Sequence, residues 1–71
     1  FTSSCANYYY KKANKEFENY QYIKAIDNYK KVIDRSGNHE ALIKLAHCYR
    51  IMNDFDNAEK YYSQAVGFPE S

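Results

Sequence analysis

The sequence lacks tryptophan and is poor in residues that break helices, with 2 glycines and 1 proline among 71 residues. This scarcity excludes a collagen-like or loop-rich chain. No run of about 18 apolar residues is present, so we predict no transmembrane segment in this chain. Residues 1–10 lack the basic segment and the apolar run of a signal peptide.

Charge and cysteine content exclude further classes. The 10 basic and 9 acidic residues leave a net charge of +1, whereas a dedicated nucleic-acid binder relies on a basic surface. We therefore expect no nucleic-acid partner. Cys5 and Cys48 match no zinc or redox spacing. We predict no cofactor, no metal and no disulfide within one chain.

The residues that are present follow a helical pattern. Hydrophobic residues make up 45% of the chain and include 9 tyrosines and 4 phenylalanines. They recur at steps of three and four, and no stretch alternates between apolar and polar. This spacing predicts four helices and no strands, with helices over 4–18, 21–35, 39–52 and 55–66.

Helix-ending signals separate these segments. Gly37 can adopt the left-handed conformation that ends the second helix, and Asn38 can cap the third. Asp54 is predicted to cap the fourth helix, which ends at residues 67–69. The break at residues 19–21 carries the weakest signal.

An internal repeat appears when the chain is shifted by 33 positions, because apolar and small residues then superimpose. Periods of this size are typical of stacked helical hairpins. The matching pairs are Tyr9 and Leu42, Ala13 and Ala46, Tyr22 and Phe55, Ala25 and Ala58, Tyr29 and Tyr62, and Val32 and Ala65.

This pattern resembles the tetratricopeptide repeat, in which small residues and aromatic rings occupy fixed packing positions. The second unit fills all eight positions, with Leu42, Leu45, Ala46, Tyr49, Phe55, Ala58, Tyr62 and Ala65, and has a late Pro69. The first unit departs at Lys12 and Glu16, where apolar residues are expected. We expect Phe17 to substitute for Glu16.

The resemblance implies an all-α fold of two antiparallel helix-turn-helix hairpins stacked as a short right-handed α-solenoid. Residues 1–71 would form a single domain, with repeat 1 over 6–38 and repeat 2 over 39–71. The alternative is a plain four-helix bundle, which would not require alanine at positions 13, 25, 46 and 58.

A second resemblance links residues 46–62 to the repeat segments of bacterial OmpA-family envelope lipoproteins. It implies a peptidoglycan-associated structural spacer or assembly element in the periplasm or at the outer membrane, with a cytoplasmic location as the alternative. Ser3-Ser4-Cys5 is compatible with a lipidated cysteine, although Thr2 stands where Leu is usual. An ordinary helix start with a free thiol explains Cys5 equally well.

The tetratricopeptide resemblance also implies an interaction module without catalysis. The first helix of each hairpin would line a concave groove that binds a peptide or partner subunit. His47 and Cys48 are adjacent in sequence and point about 100° apart on a helix, so they do not form a catalytic pair. The predicted groove residues are Asn7, Tyr10, Lys11, Asn14, Phe17, Glu40, Ile43, Lys44, His47 and Arg50.

The last helix has no capping helix after it in this sequence. Each repeat buries one face only against a neighbour, so terminal repeats need a polar cap. We therefore expect this chain to be a piece of a longer protein, or to self-associate through Tyr61, Val66 and Phe68. Of the tyrosines, Tyr8 and Tyr10 are predicted to be partly exposed.

Overall fold

The computed structural model describes residues 2–67, with side chains described for residues 5–66. Four helices follow one another: α1 (Thr2–Glu18), α2 (Tyr22–Ser36), α3 (His39–Ile51) and α4 (Phe55–Gly67). Each boundary lies within two residues of the predicted one, and residues 2–67 contain no strand. Consecutive helices pack together, giving hairpins α1–α2 and α3–α4 joined through α2 and α3. The prediction of an all-α, two-hairpin repeat is confirmed.

The two hairpins turn in the same way. Tyr20 and Asn53, which are 33 positions apart, both adopt a left-handed conformation with φ of 63° and 66°. A backbone bond of 2.8 Å closes each turn, from the Gln21 N–H to the Glu16 carbonyl and from the Asp54 N–H to the Tyr49 carbonyl. Asparagine tolerates this conformation better than tyrosine does. The sequence signal for a turn is therefore weaker at Tyr20 than at Asn53.

The predicted capping residues lie where the sequence placed them. Gly37 has φ of 63° and its N–H donates to the Ile33 carbonyl. Asn38 Oδ1 accepts from the N–H groups of Glu40 and Ala41 at 2.8 and 3.2 Å. These bonds satisfy donors that a helix leaves free at its first turn. The Asp54 carboxylate receives the Asn57 N–H at 3.4 Å.

Small side chains lie where the helices approach most closely. All four alanines of the repeat pattern are buried, as predicted. Because alanine adds only a methyl group, the backbones can come close without leaving a void. The central cluster joins α1, α2 and α3 through Ala13, Ala25, Tyr29, Val32, Ala41, Leu45 and Cys48.

Two expected packing positions are wrong. Phe55 was expected in the core but is 61% exposed, because no helix covers that side of α4 in residues 2–67. The sequence pattern predicts that Phe17 takes the apolar packing position of Glu16, but Glu16 is itself buried, at 8% exposure. Phe17 is only half-buried and meets the Tyr22 ring at 5.5 Å.

Glu16 is buried because two partners satisfy its carboxylate. Asn28, also buried, donates from Nδ2 to Glu16 Oε1 at 2.8 Å. Lys12 Nζ lies 3.4 Å from the other oxygen. The two polar departures of the first repeat thus pair with each other, and α2 supplies the third group. A buried carboxylate requires such partners.

Replacing Gly37 with alanine should destabilise the protein by about 1–2 kcal/mol, the cost of a left-handed residue with a Cβ. A Cβ at this position meets no atom within 4 Å, so the cost is conformational rather than steric. Urea denaturation measures it, and Gly37→Asn is the control, since asparagine tolerates this conformation. Equal losses for alanine and asparagine would contradict the explanation.

Replacing Asn28 with alanine should lower the free energy of unfolding by about 1–3 kcal/mol, because Glu16 Oε1 loses its buried donor. The double variant Glu16→Leu/Asn28→Leu should recover most of this loss, since replacing both polar partners with apolar groups is close to neutral. Denaturation of the single and double variants provides the measurement. An Asn28→Ala protein as stable as the parent would show that the pair contributes nothing.

Candidate functional site

The ten predicted groove residues lie on α1 and α3, and we call the surface that they form the A-helix face. One direct contact joins its two halves: the Tyr10 hydroxyl donates to Glu40 Oε1 at 2.9 Å. The hydrogen bond and the desolvation of Tyr10 both raise the pKa of its phenol, with desolvation the larger cause. Tyr10 therefore remains a neutral donor. Its bond to Glu40 connects the part of the face on α1 with the part on α3.

A hydrogen bond recurs within each hairpin at the repeat spacing. In the first hairpin the Tyr29 hydroxyl on α2 bonds to Asn14 Oδ1 on α1. In the second, the Tyr62 hydroxyl on α4 lies 2.8 Å from His47 Nδ1 on α3. Asn14 and His47 are repeat equivalents, as are the two tyrosines. Each bond holds a polar side chain of the A-helix face in position from behind.

The sequence pattern alone does not predict this recurring bond. It places Tyr29 and Tyr62 at packing positions and Asn14 and His47 on the groove face. The available signal was a polar residue 15 positions before a tyrosine in both units. Recognising it requires knowing that a hairpin brings those positions opposite each other.

Three cations of the A-helix face have no carboxylate partner. Within the described part of the chain, the ion pairs join Lys12 to Glu16 and Lys31 to Asp27. Lys11 and Arg50 are exposed, and Lys44 is half-buried. Lys11 and Lys44 are also 33 positions apart, so each repeat presents a lysine at the same place. The one carboxylate of this face, Glu40, already accepts from Tyr10.

His47 responds to this charge. Its pKa is lowered, first by partial burial and then by the positive charges of Arg50 and Lys44. A lowered pKa keeps the imidazole neutral at neutral pH, and a neutral ring can share one proton with the Tyr62 hydroxyl. The ring edge also meets Tyr62 at 5.7 Å between centroids.

The other predicted groove residues differ in how exposed their side chains are. Asn7 is exposed and Ile43 is half-buried. Phe17 packs against Tyr22 on α2, so its ring contributes to the hairpin as well as to the surface. The structure therefore brings Tyr10, Glu40, Asn14 and His47 into bonded positions and leaves the cations available.

The two cysteines lie in different environments. Cys5 is exposed and Cys48 is buried, and both thiols are free. Burial raises the pKa of the Cys48 thiol to about 11, so this thiol stays protonated at neutral pH. No helix within residues 2–67 is both long and apolar enough to cross a membrane.

A second surface lies at the end of the stack, on the uncovered side of α4. It forms an open groove of about 620 Å³, lined by Phe55, Ala58, Tyr62, Val66 and the edge residues Arg50, Glu59 and Ser63. We call it the end groove. Of the residues predicted to mediate self-association, Val66 lies here and is 75% exposed.

Tyr61 does not belong to the end groove. Its ring stacks on Tyr49, with centroids 5.7 Å apart, because α4 turns positions 61 and 66 to different sides. Phe68 lies outside the described residues. Self-association through the last helix therefore stays a prediction, with Val66 as its available residue.

Comparison with known families agrees with this geometry. Residues 39–70 match the model of the tetratricopeptide repeat, and that segment contains the whole of the second hairpin. Residues 39–70 are thus similar to a tetratricopeptide repeat, a family whose members generally act as protein–protein interaction modules. No curated protein and no solved structure matches this chain, so the resemblance to envelope lipoproteins remains a prediction.

Removing the two cations near His47 should raise its pKa. In Lys44→Ala/Arg50→Ala, two of the causes that lower this pKa are gone while partial burial remains. NMR titration of the His47 ring protons measures the change, with the parent chain as the reference. A His47 pKa that does not move would show that the two charges do not act on the ring.

Proposed function

We propose that this chain is a scaffold module that binds an extended peptide, or a segment of a partner subunit, along the concave A-helix face. The proposal rests on a difference among the polar residues of this face: some are hydrogen-bonded within the molecule, whereas the lysines have no carboxylate partner. Tyr10, Asn14, Glu40 and His47 engage one another or the tyrosines behind them. Lys11 and Lys44 remain without a carboxylate and occur once per repeat.

Such an arrangement suits a ligand that meets both repeats in the same way. An extended chain has alternating side chains and free backbone groups, so it can offer an acceptor to each lysine in turn. Tyr10 and Ile43, also repeat equivalents, add half-buried apolar area between the charges. Tyrosine and arginine are enriched where proteins recognise partners, and this face carries Tyr10 and Arg50.

The charge of the face favours an acidic ligand. Three cations stand against one carboxylate that is already hydrogen-bonded, while the chain as a whole has a net charge of only +1. Complementary charge of this kind raises the association rate and selects among partners. We therefore expect carboxylates in the bound segment.

A displayed library of random linear peptides tests this proposal directly. Selection on the parent chain should enrich acidic sequences, and those peptides should bind Lys11→Ala/Lys44→Ala at least about tenfold more weakly. A hydrogen bond to a charged group contributes about 1.5–3 kcal/mol, and about 1.4 kcal/mol corresponds to a factor of ten.

The matched control is Lys24→Ala/Lys60→Ala. It removes the same charge from exposed positions on α2 and α4, and it should keep the parent affinity for the selected peptides. Circular dichroism confirms that both double variants stay helical. Equal weakening in the two variants would reduce the effect to net charge, and unchanged binding by Lys11→Ala/Lys44→Ala would place the ligand elsewhere.

A further inference from the structure

The end groove has a counterpart inside the molecule. Shifting its main residues back by 33 positions gives Tyr22, Ala25, Tyr29 and Ile33 on α2. That face of α2 packs against α3. Tyr29 is fully buried there, whereas its equivalent Tyr62 on α4 is only half-buried. The end groove is therefore the repeat equivalent of the surface on α2 that α3 covers. Within residues 2–67, no helix covers the end groove.

The helix that fills the internal surface shows which shape fits. Ala41, Leu45 and Cys48 of α3 belong to the same buried cluster as Ala25 and Tyr29, and all three are fully buried. Their spacing of four and three places a small residue, a leucine and a second small residue on one helix face. The small residues allow close approach of the helices, and the leucine is the large apolar side chain of the row.

The opposite end of the chain cannot supply this helix. The residues of α1 that correspond to Ala41, Leu45 and Cys48 are Tyr8, Lys12 and Lys15, and all three are exposed. A second copy stacked head to tail would bury two lysines against an apolar groove. Burying a charge is costly unless it is paired, and of these two lysines only Lys12 has a carboxylate partner, Glu16. This face of α1 is therefore polar, whereas the uncovered face of α4 is apolar.

We propose that the end groove binds a helix of a partner that carries the small–leucine–small row of α3. At the edge of the groove, Arg50 and Glu59 stand where the internal surface has Phe17 and Ile26. Arg50 also belongs to the A-helix face, whereas α4 supplies the other residues of the groove.

The test converts the polar end of this chain into the proposed partner. In Tyr8→Ala/Lys12→Leu/Lys15→Ala, α1 gains the row that α3 uses. This triple variant should form head-to-tail assemblies that grow with concentration in sedimentation velocity. Adding Val66→Glu should abolish them, because a charge then enters the end groove.

The control for that substitution is Gln64→Glu, which adds the same charge at an exposed position of α4 outside the groove. Triple-variant assemblies should persist in its presence. A folded triple variant that stays monomeric, or assemblies that survive Val66→Glu, would overturn the proposal. So would parent-chain dimers that Val66→Glu abolishes, because the occupant would then be a second copy.

If circular dichroism shows that the triple variant does not fold, a peptide of residues 38–51 replaces it as the probe. This peptide carries the α3 row and should bind the parent chain but not Val66→Glu. The same peptide with Leu45→Asp is its control. Failure of the unmodified peptide to bind would then overturn the proposal.

Discussion

Buried alanines let the helices of each hairpin pack closely, and the other contacts in the molecule follow from this packing. Ala13 and Ala25 bring α1 and α2 together, and Ala46 and Ala58 do the same for α3 and α4. A larger side chain at any of these positions would push two helices apart and disturb a core that is packed at near-crystalline density. Because both hairpins meet this constraint at the same spacing, they also align their polar residues in the same way.

That alignment gives the tyrosines two different tasks. Tyr29 and Tyr62 fill space with their rings while their hydroxyls hold Asn14 and His47 on the A-helix face. Tyr10 instead links the two repeats through Glu40. The A-helix face thus rests on the same side chains that fill the interior, which fixes its geometry in the free chain. For the binding function that we propose, this preorganisation lowers the ordering cost.

Polar residues in the first repeat show how the fold accommodates a polar side chain at an apolar position of the repeat pattern. Glu16 occupies an apolar position, yet Asn28 and Lys12 satisfy its oxygens. The outward lysines of α1 then make one end of the stack polar, whereas Phe55 and Val66 leave the other end apolar. The two repeats therefore present different outer surfaces: a polar face on α1 and an apolar face on α4.

The four helices, their ends at Gly37 and Asn38, the repeat of 33 residues and the burial of the alanines could all be predicted from the sequence. These features depend on local backbone preferences and on periodicity, both of which can be read along the chain. The burial of Glu16, the exposure of Phe55 and the bond between His47 and Tyr62 could not be predicted in this way. Burial and side-chain pairing depend on which neighbour arrives from a distant part of the chain, and a helix cannot specify alone whether its outer face will be covered.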